Sequence, residues 1–358
     1  MNSTVEHVST EDVHAFRKKI LDWYDKHRRV LPWRALKGEE PVPYYVWLSE
    51  IMLQQTTVQA VIPYFLKFVK KWPDVHVLAN ADNEAIMSYW AGLGYYARAR
   101  NLHKCAKVVS DEYDGQFPSD QKELQSLPGI GDYTSAAIRS IAFNKPSVVV
   151  DGNIERVMAR YHAVSDALPK GKKVLKAYAA AYSEGVEDRP GDYAQALMDI
   201  GATVCTPKSP SCAFCPVNDD CRAYGLGTAE AFPVKAAKKA KPKRYGYVYI
   251  VKQDDKILLQ KREEKGLLGG MFGLPTSDWV DDKAEQRHLD ILGETNIPES
   301  TVVVYHVFTH FELELNVVEI TVSNDFCYDE SYNWFSLASV DQIGFPTVFK
   351  KAYDLRSK

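Results

Sequence analysis

The chain has 358 residues, of which 46% are apolar and 25% charged, with a formal net charge of −3. That is the size of about two ordinary globular domains, and it excludes a disordered, collagen-like or low-complexity protein. No apolar run reaches the roughly 18–20 residues of a membrane span. The N-terminus, MNSTVEHVSTEDVHAFRKK, has no apolar stretch behind a basic start, so no secretory signal is expected. The six cysteines are expected in a reducing cytosol, without disulfides.

The net charge hides a split. Residues 1–225 hold 27 basic and 27 acidic side chains, residues 226–246 hold 6 and 1, and residues 247–358 hold 11 and 19. Local charge, not the total, must therefore speak for partners. From Val13 to Arg222 the pattern is mostly helical, with Val46, Ile51, Val58, Ile62, Phe65 and Val69 along one such stretch. Within it Glu50 sits among large apolar groups, with Val46, Trp47 and Leu53 one turn away. Desolvation there raises a carboxyl above its usual pKa of about 4.3 and makes it a usable general acid. The plainer reading is a glutamate satisfied by a helix end or simply exposed.

Further along, Leu127-Pro-Gly-Ile-Gly131 separates two helical segments. Asp120 and Glu123 open the first like a capping box. The second spans Tyr133–Phe143 with Ala136, Ala137, Ile138 and Ile141 inward. Gly129 and Gly131 before it can expose backbone N–H groups to a phosphate, or merely make a turn. Asp151 and Asn153 follow the apolar run Val148–Val150 and precede helix Ile154–Tyr161. Either one reads as an N-cap, and Asp151 also reads as a fixed carboxylate facing a developing cation. Cys205, Cys212, Cys215 and Cys221 are spaced C-x6-C-x2-C-x5-C. Four thiols so close imply a metal centre. The uneven spacing suits an iron–sulfur cluster better than zinc, which stays open. Cys105 and Cys327, far off in sequence, read as buried or incidental.

Segment 226–246 reads as a basic linker. Beyond it the period changes to two: Phe311, Leu313, Leu315 and Val317 alternate with Glu312, Glu314 and Asn316. Tyr247–Val251 and Lys256–Gln260 flank Asp254-Asp255 as a hairpin. The expected fold is thus a mainly α region over 1–225 and an α+β domain over 247–358 with an antiparallel or mixed sheet.

Several of these strings resemble a known family. The cysteine spacing is similar to the [4Fe–4S] loop in the endonuclease III and MutY branches of DNA glycosylases. The order LPGIG, VDGN, four cysteines is that of the helix-hairpin-helix glycosylase superfamily. VWLSEIMLQQTTV, LPWR at Leu31–Arg34 and GLGYYARARNL at Gly92–Leu102 resemble the MutY family, whose members remove adenine mispaired with 8-oxoguanine. The resemblance runs over nearly the whole chain.

It implies a mainly structural [4Fe–4S] cluster on the four cysteines and a duplex carrying an A:8-oxoguanine or A:G mispair as partner. Glu50 would protonate the departing adenine, and Asp151, helped by Asn153, would stabilise the oxocarbenium sugar before water completes hydrolysis. Tyr133 stands where strand-cleaving relatives place a lysine. A phenol cannot form the Schiff base, so a monofunctional glycosylase is implied. Gln55 and Tyr95 match wedge residues of base flipping. Gln54 and Thr56 match DNA contacts, Thr56 toward the oxidised guanine. Arg29, Leu31, Trp33, Arg34 and Gln195 match the adenine pocket, beside a loop, Lys37–Pro43, that is longer than usual.

Residues 247–358 resemble the family's Nudix-like C-terminal domain, with GLLGGMFGLP at Gly266–Pro275 as its early signature. Asp281–Asp290 lacks the REx2EE order of working Nudix hydrolases, so pyrophosphohydrolase activity is not expected. Phe308-Thr309-His310 matches the F-S-H loop that contacts 8-oxoguanine. The resemblance further implies a monomer in a bacterial cytoplasm, at the nucleoid through its DNA. Two other readings compete: a lyase of the endonuclease III kind, opposed by Tyr133, and a non-catalytic iron–sulfur DNA-binding module, opposed by Glu50 together with Asp151.

Overall fold

The computed structural model describes residues 6, 8–185, 187–237, 240–263, 266–289, 297–300, 302–323, 326 and 328–355. The helices are α1 (Thr10–His27), α2 (Pro43–Leu53), α3 (Val58–Lys71), α4 (Val75–Ala79), α5 (Asn83–Trp90), α6 (Ala97–Glu112), α7 (Gln121–Ser126), α8 (Asp132–Phe143), α9 (Gly152–Tyr161), α10 (Lys172–Ser183), α11 (Pro190–Thr203), α12 (Arg222–Gly225) and α13 (Thr347–Asp354). The strands are β1 (Lys243–Gln253), β2 (Lys256–Lys261), β3 (Phe272–Gly273), β4 (Val302–Val307), β5 (Glu312–Thr321) and β6 (Tyr332–Ser336). No described helix is long and apolar enough to cross a membrane.

Contacts divide the chain into two compact units, 1–80 with 104–238 and 81–103 with 239–358. The first is helical, as the three- and four-residue apolar spacing expects. Short polar side chains start its helices by accepting the otherwise orphaned N–H groups of the first turn. Ser9 accepts from Asp12 N, Asp74 from Val77 N, and Asp120 from Lys122 N and Glu123 N. Pro43 opens α2, where its missing N–H costs nothing. Helix α11 is buried nearly all round and packs on α1, α8 and α9. Two glycines permit this. A Cβ on Gly191 would lie 2.6 Å from Ser140 O, and one on Gly201 would lie 2.5 Å from Asn153 Cβ.

In the second unit the sheet order is β3-β2-β1-β5-β4, with β6 also paired to β2. It is mixed. β1 runs parallel to β5 over ten residue pairs, Lys243↔Glu312 to Lys252↔Thr321, while β2, β4 and β6 pair antiparallel to their neighbours. The hairpin at Asp254-Asp255 is present, with Asp254 at φ +51°. Along β5, Leu313, Leu315 and Val317 turn into one core with Val248, Ile250, Ile257 and Phe349. Tyr249, Val251, Leu258 and Ile320 fill the other face. A helical region followed by a Nudix-type mixed sheet is therefore the observed fold.

Two features depart from the expected boundaries at 225 and 247. The stretch 226–246 is not a plain spacer. Leu168 N donates to Val234 O at 2.8 Å and Ala236 N to Leu168 O at 3.2 Å, and β1 already begins at Lys243. Around Val234 and Ala236 the backbone finds partners, so that part does not behave as solvated coil. Residues 81–103 group with the sheet, although composition places them upstream. Tyr96 Oη donates to Phe345 O, Arg100 to Gly269 O, and Gly344 lies against Ser88. Residues 281–289 hold only a 3-10 turn at Lys283–Glu285, with His288 stacked on Tyr247. Asp290 and Cys327 lie outside the described residues.

Candidate active site

A cleft of about 960 Å³ opens in the first unit. Its lining brings together Glu50, Tyr133, Asp151 and Asn153 with Arg29, Leu31, Trp33, Arg34, Gln54, Gln55, Thr56 and Gln195. These come from the loop after α1, from α2 and the turn behind it, and from the starts of α8 and α9 and the middle of α11.

The two carboxylates meet different surroundings. Glu50 lies on α2, whose buried run Val46–Met52 leaves it only 6% exposed. Its Oε2 is buried with no hydrogen-bond partner among the described residues. Burial pushes its pKa up to about 7, with the Asp151 charge adding to the rise, while a hydrogen bond from Tyr133 and the Arg34 charge oppose it. Tyr133, at the first turn of α8, keeps its proton because burial and the neighbouring carboxylates hold the phenol well above its ordinary value.

Asp151 is the N-cap of α9, as one of its two sequence readings expects. Its Oδ1 accepts from Asn153 N at 2.9 Å and Ile154 N at 2.7 Å, and its Oδ2 from Asn153 Nδ2 at 2.7 Å. Burial raises its pKa too, but these donors and Arg156 pull against the rise. Three donors stabilise a carboxylate. Glu50, with a bare buried oxygen, is the better proton carrier, and Asp151, with three donors, the better anion. Burial raises both carboxyls, but unequal hydrogen bonding lets two such groups take different parts in proton transfer.

Sequence reading overlooked two residues that organise the neighbours of this pair. Arg156 donates to Asn153 Oδ1 at 2.8 Å, to Gly201 O at 2.6 Å and to Cys205 O at 2.7 Å. Asp199 is fully buried behind the wall and takes both Arg29 and Arg34. One signal was available: a lone aspartate in the apolar string Tyr193–Ile200 is costly unless paired.

The four cysteines of the loop after α11 lie close enough that their charges act on one another. Arg160 Nη1 donates to Cys205 Sγ at 3.3 Å, and backbone N–H groups point at the Cys215 and Cys221 sulfurs. Burial raises the Cys212, Cys215 and Cys221 thiols and these donors oppose the rise; the four grouped thiols are the residues that could hold a thiolate-ligated metal centre. No three ligand side chains among the described residues converge to hold a single ion.

Other residues of interest lie elsewhere. Gly129, at φ +79°, and Gly131 are in the turn between α7 and α8, outside the cleft lining. A Cβ on Gly131 would meet open space, so nothing within the unit requires glycine there. Gln55 and Tyr95 are both held at positive φ, +57° and +49°. A non-glycine residue there is strained, which is common at functional sites. Tyr95 belongs to the second unit, as do Phe308, Thr309 and His310 in the β4–β5 turn. Phe308 stacks on Trp279 at 5.8 Å, and Thr309 and His310 are exposed. Of the loop Lys37–Pro43, residues 37–41 line another cavity of about 500 Å³, which shares Trp33, Arg34 and Gln195 with the cleft.

Comparison with known proteins agrees with this anatomy. Residues 48–182 match the HhH-GPD superfamily of base excision DNA repair proteins, and residues 246–355 match the NUDIX domain. The chain is 33% identical to an adenine DNA glycosylase of Buchnera aphidicola, covering 94% of this chain and 96% of that one. It is 35% identical to the Mus musculus adenine DNA glycosylase, over 87% of this chain and 71% of that one. A thermostable thymine-DNA glycosylase structure is similar at TM-score 0.53 and 30% identity, covering 60% of this chain and 98% of that one. Likeness of this extent, spanning both units, makes the chain a DNA glycosylase, a hydrolase of base excision repair that binds duplex DNA, and a member of the adenine DNA glycosylase (MutY) family.

Proposed function

We propose that the chain removes adenine mispaired with 8-oxoguanine or guanine, and that it cuts only the N-glycosidic bond. The observation that carries this reading is the pairing, in one cleft, of an unpartnered Glu50 oxygen with a three-donor Asp151. With adenine flipped into the cleft, the Glu50 carboxyl gives its proton to N7. The C1′–N9 bond breaks, its electrons stay on the base, and the sugar becomes an oxocarbenium ion. Asp151 faces that charge, oriented by Asn153. Water adds at C1′ and loses its proton to a carboxylate. Tyr133 hydrogen-bonds Glu50, and no lysine takes its place to attack the sugar.

Around this chemistry, Arg29, Leu31, Trp33, Arg34 and Gln195 hold the extruded base. Gln55 and Tyr95 fill the gap it leaves, and Gln54, Thr56 and the Gly129–Gly131 turn contact the duplex. Phe308, Thr309 and His310 read the opposite base. The four cysteines hold a [4Fe–4S] cluster that shapes a DNA-contacting loop, supplying structure rather than a reacting group.

The test is single-turnover cleavage of an A:8-oxoguanine duplex, with and without alkali. Product seen only after alkali is expected. Nicking without alkali supports a lyase instead, and binding without base loss sinks the proposal. Purified protein should carry about four iron and four sulfide per chain. Stoichiometric zinc without iron would contradict the cluster.

A further inference from the structure

Asp199 lies on α11 one turn after Gln195, is fully buried, and does not line the cleft. Its oxygens serve two arginines of the loop after α1. Arg34 Nη1 reaches Oδ2 at 2.7 Å and Nη2 reaches Oδ1 at 2.8 Å. Arg29 adds Nε to Oδ1 at 2.6 Å and its backbone N to Oδ2 at 3.0 Å. Burial opposes a charge on Asp199, but the Arg34 hydrogen bonds and the charges of both arginines overcome it and hold the carboxyl below its ordinary value. One buried anion therefore faces two cations, and both cations line the cleft wall.

Arg34 is also among the groups whose charge reaches Glu50. The others are Tyr133 from α8 and Asp151 ahead of α9; Tyr24 of α1 and Asp199 of α11 act on Arg34 itself. An ion pair that merely pinned the loop would need no particular charge balance. Here the balance sits next to the proton donor.

We propose that Asp199 is a positioning residue for proton donation: it fixes the Arg29 and Arg34 guanidiniums against the wall and cancels one of their two charges, so that Glu50 stays neutral beside the base it protonates. This rests on reading Glu50 as the acid. Removing the Asp199 charge leaves two uncompensated cations in a low-dielectric wall, which favours ionised Glu50. Because the acid acts protonated, the rate falls as pH rises through its pKa, and that basic limb must then move to lower pH.

The experiment is single-turnover adenine release by the full chain on an A:8-oxoguanine duplex from pH 5 to 9. Asp199→Asn should displace the basic limb by about one pH unit toward acid, a loss of about tenfold on the alkaline side, with a smaller loss at pH 5. Asp199→Glu, which restores the charge, should keep the wild-type limb. Arg34→Gln, which removes the cation that reaches Glu50, should displace the limb toward alkali, and it decides the matter if Asp199→Asn does not fold. A wild-type profile without a basic limb overturns the reading of Glu50. A wild-type limb that Asp199→Asn leaves in place, or that Arg34→Gln leaves in place should the first not fold, overturns the role of Asp199 alone.

Discussion

Around Asp151 three donors converge on two oxygens, Arg156 ties Asn153 to the cysteine loop, and Asp199 clamps two arginines. In the β4–β5 turn of the second unit, Phe308 packs on Trp279 and Phe311, while Thr309 and His310 stand exposed on the turn it anchors. The first region controls charge in a buried place, where electrostatic terms are large. The second offers surface contacts, where each hydrogen bond trades against water and nets little. Substitutions should therefore be drastic in the cleft and graded in the turn.

Asp151→Asn should have the largest effect, a loss of roughly 10³-fold or more in single-turnover adenine release with duplex affinity nearly unchanged. The amide keeps the cap but loses the charge that meets the cation. Product formation close to wild type would erase the distinction between the two regions.

Glu50→Gln should cost roughly 10²–10⁴-fold in rate at neutral pH, and the wild-type rate should fall as pH rises through about 7. The same change should stabilise the fold in alkali. A carboxyl whose folded pKa lies at about 7 against an ordinary 4.5 costs nothing below the lower value and opposes folding increasingly as pH rises to the upper one. Above pH 7 the gain from Glu50→Gln is on the order of 3 kcal/mol. Thermal melts at pH 4.5 and 8 check this, and an equal shift at both pH values would refute the burial cost.

The turn should respond more gently. Phe308→Ala should loosen the loop and reduce the preference for 8-oxoguanine over guanine by about tenfold, since a half-buried aromatic contributes about 1–2 kcal/mol. Thr309→Ala removes one hydroxyl worth roughly 0.5–1.5 kcal/mol, so a several-fold loss is expected. Both are read as ratios of single-turnover rates and dissociation constants on the two duplexes. Discrimination unchanged by both would remove the reading role from this turn. Point changes are the right probe. Cutting the chain after the helical region would strip residues 81–103 of the partners that Phe345 and Gly269 supply.

Much of this molecule is written locally. Asp120 and Asp151 cap helices because a short carboxylate before a helix satisfies N–H groups two and three residues on. The Asp254-Asp255 hairpin, the alternation along β5 and the clustered cysteines likewise depend on neighbours in sequence, and the helical and mixed-sheet architecture followed from them. Tertiary packing decided the rest. Glu50, Tyr133 and Asp151 share a cleft only because α11, thinned by Gly191 and Gly201, draws α8 and α9 together. The parallel β1–β5 pairing and the joining of residues 81–103 to the sheet carry no local signal. A parallel strand pair must be closed through distant chain. Asp199 gained its meaning the same way: in sequence it is one charge in an apolar helix, and only folding brings it the two arginines it pairs with.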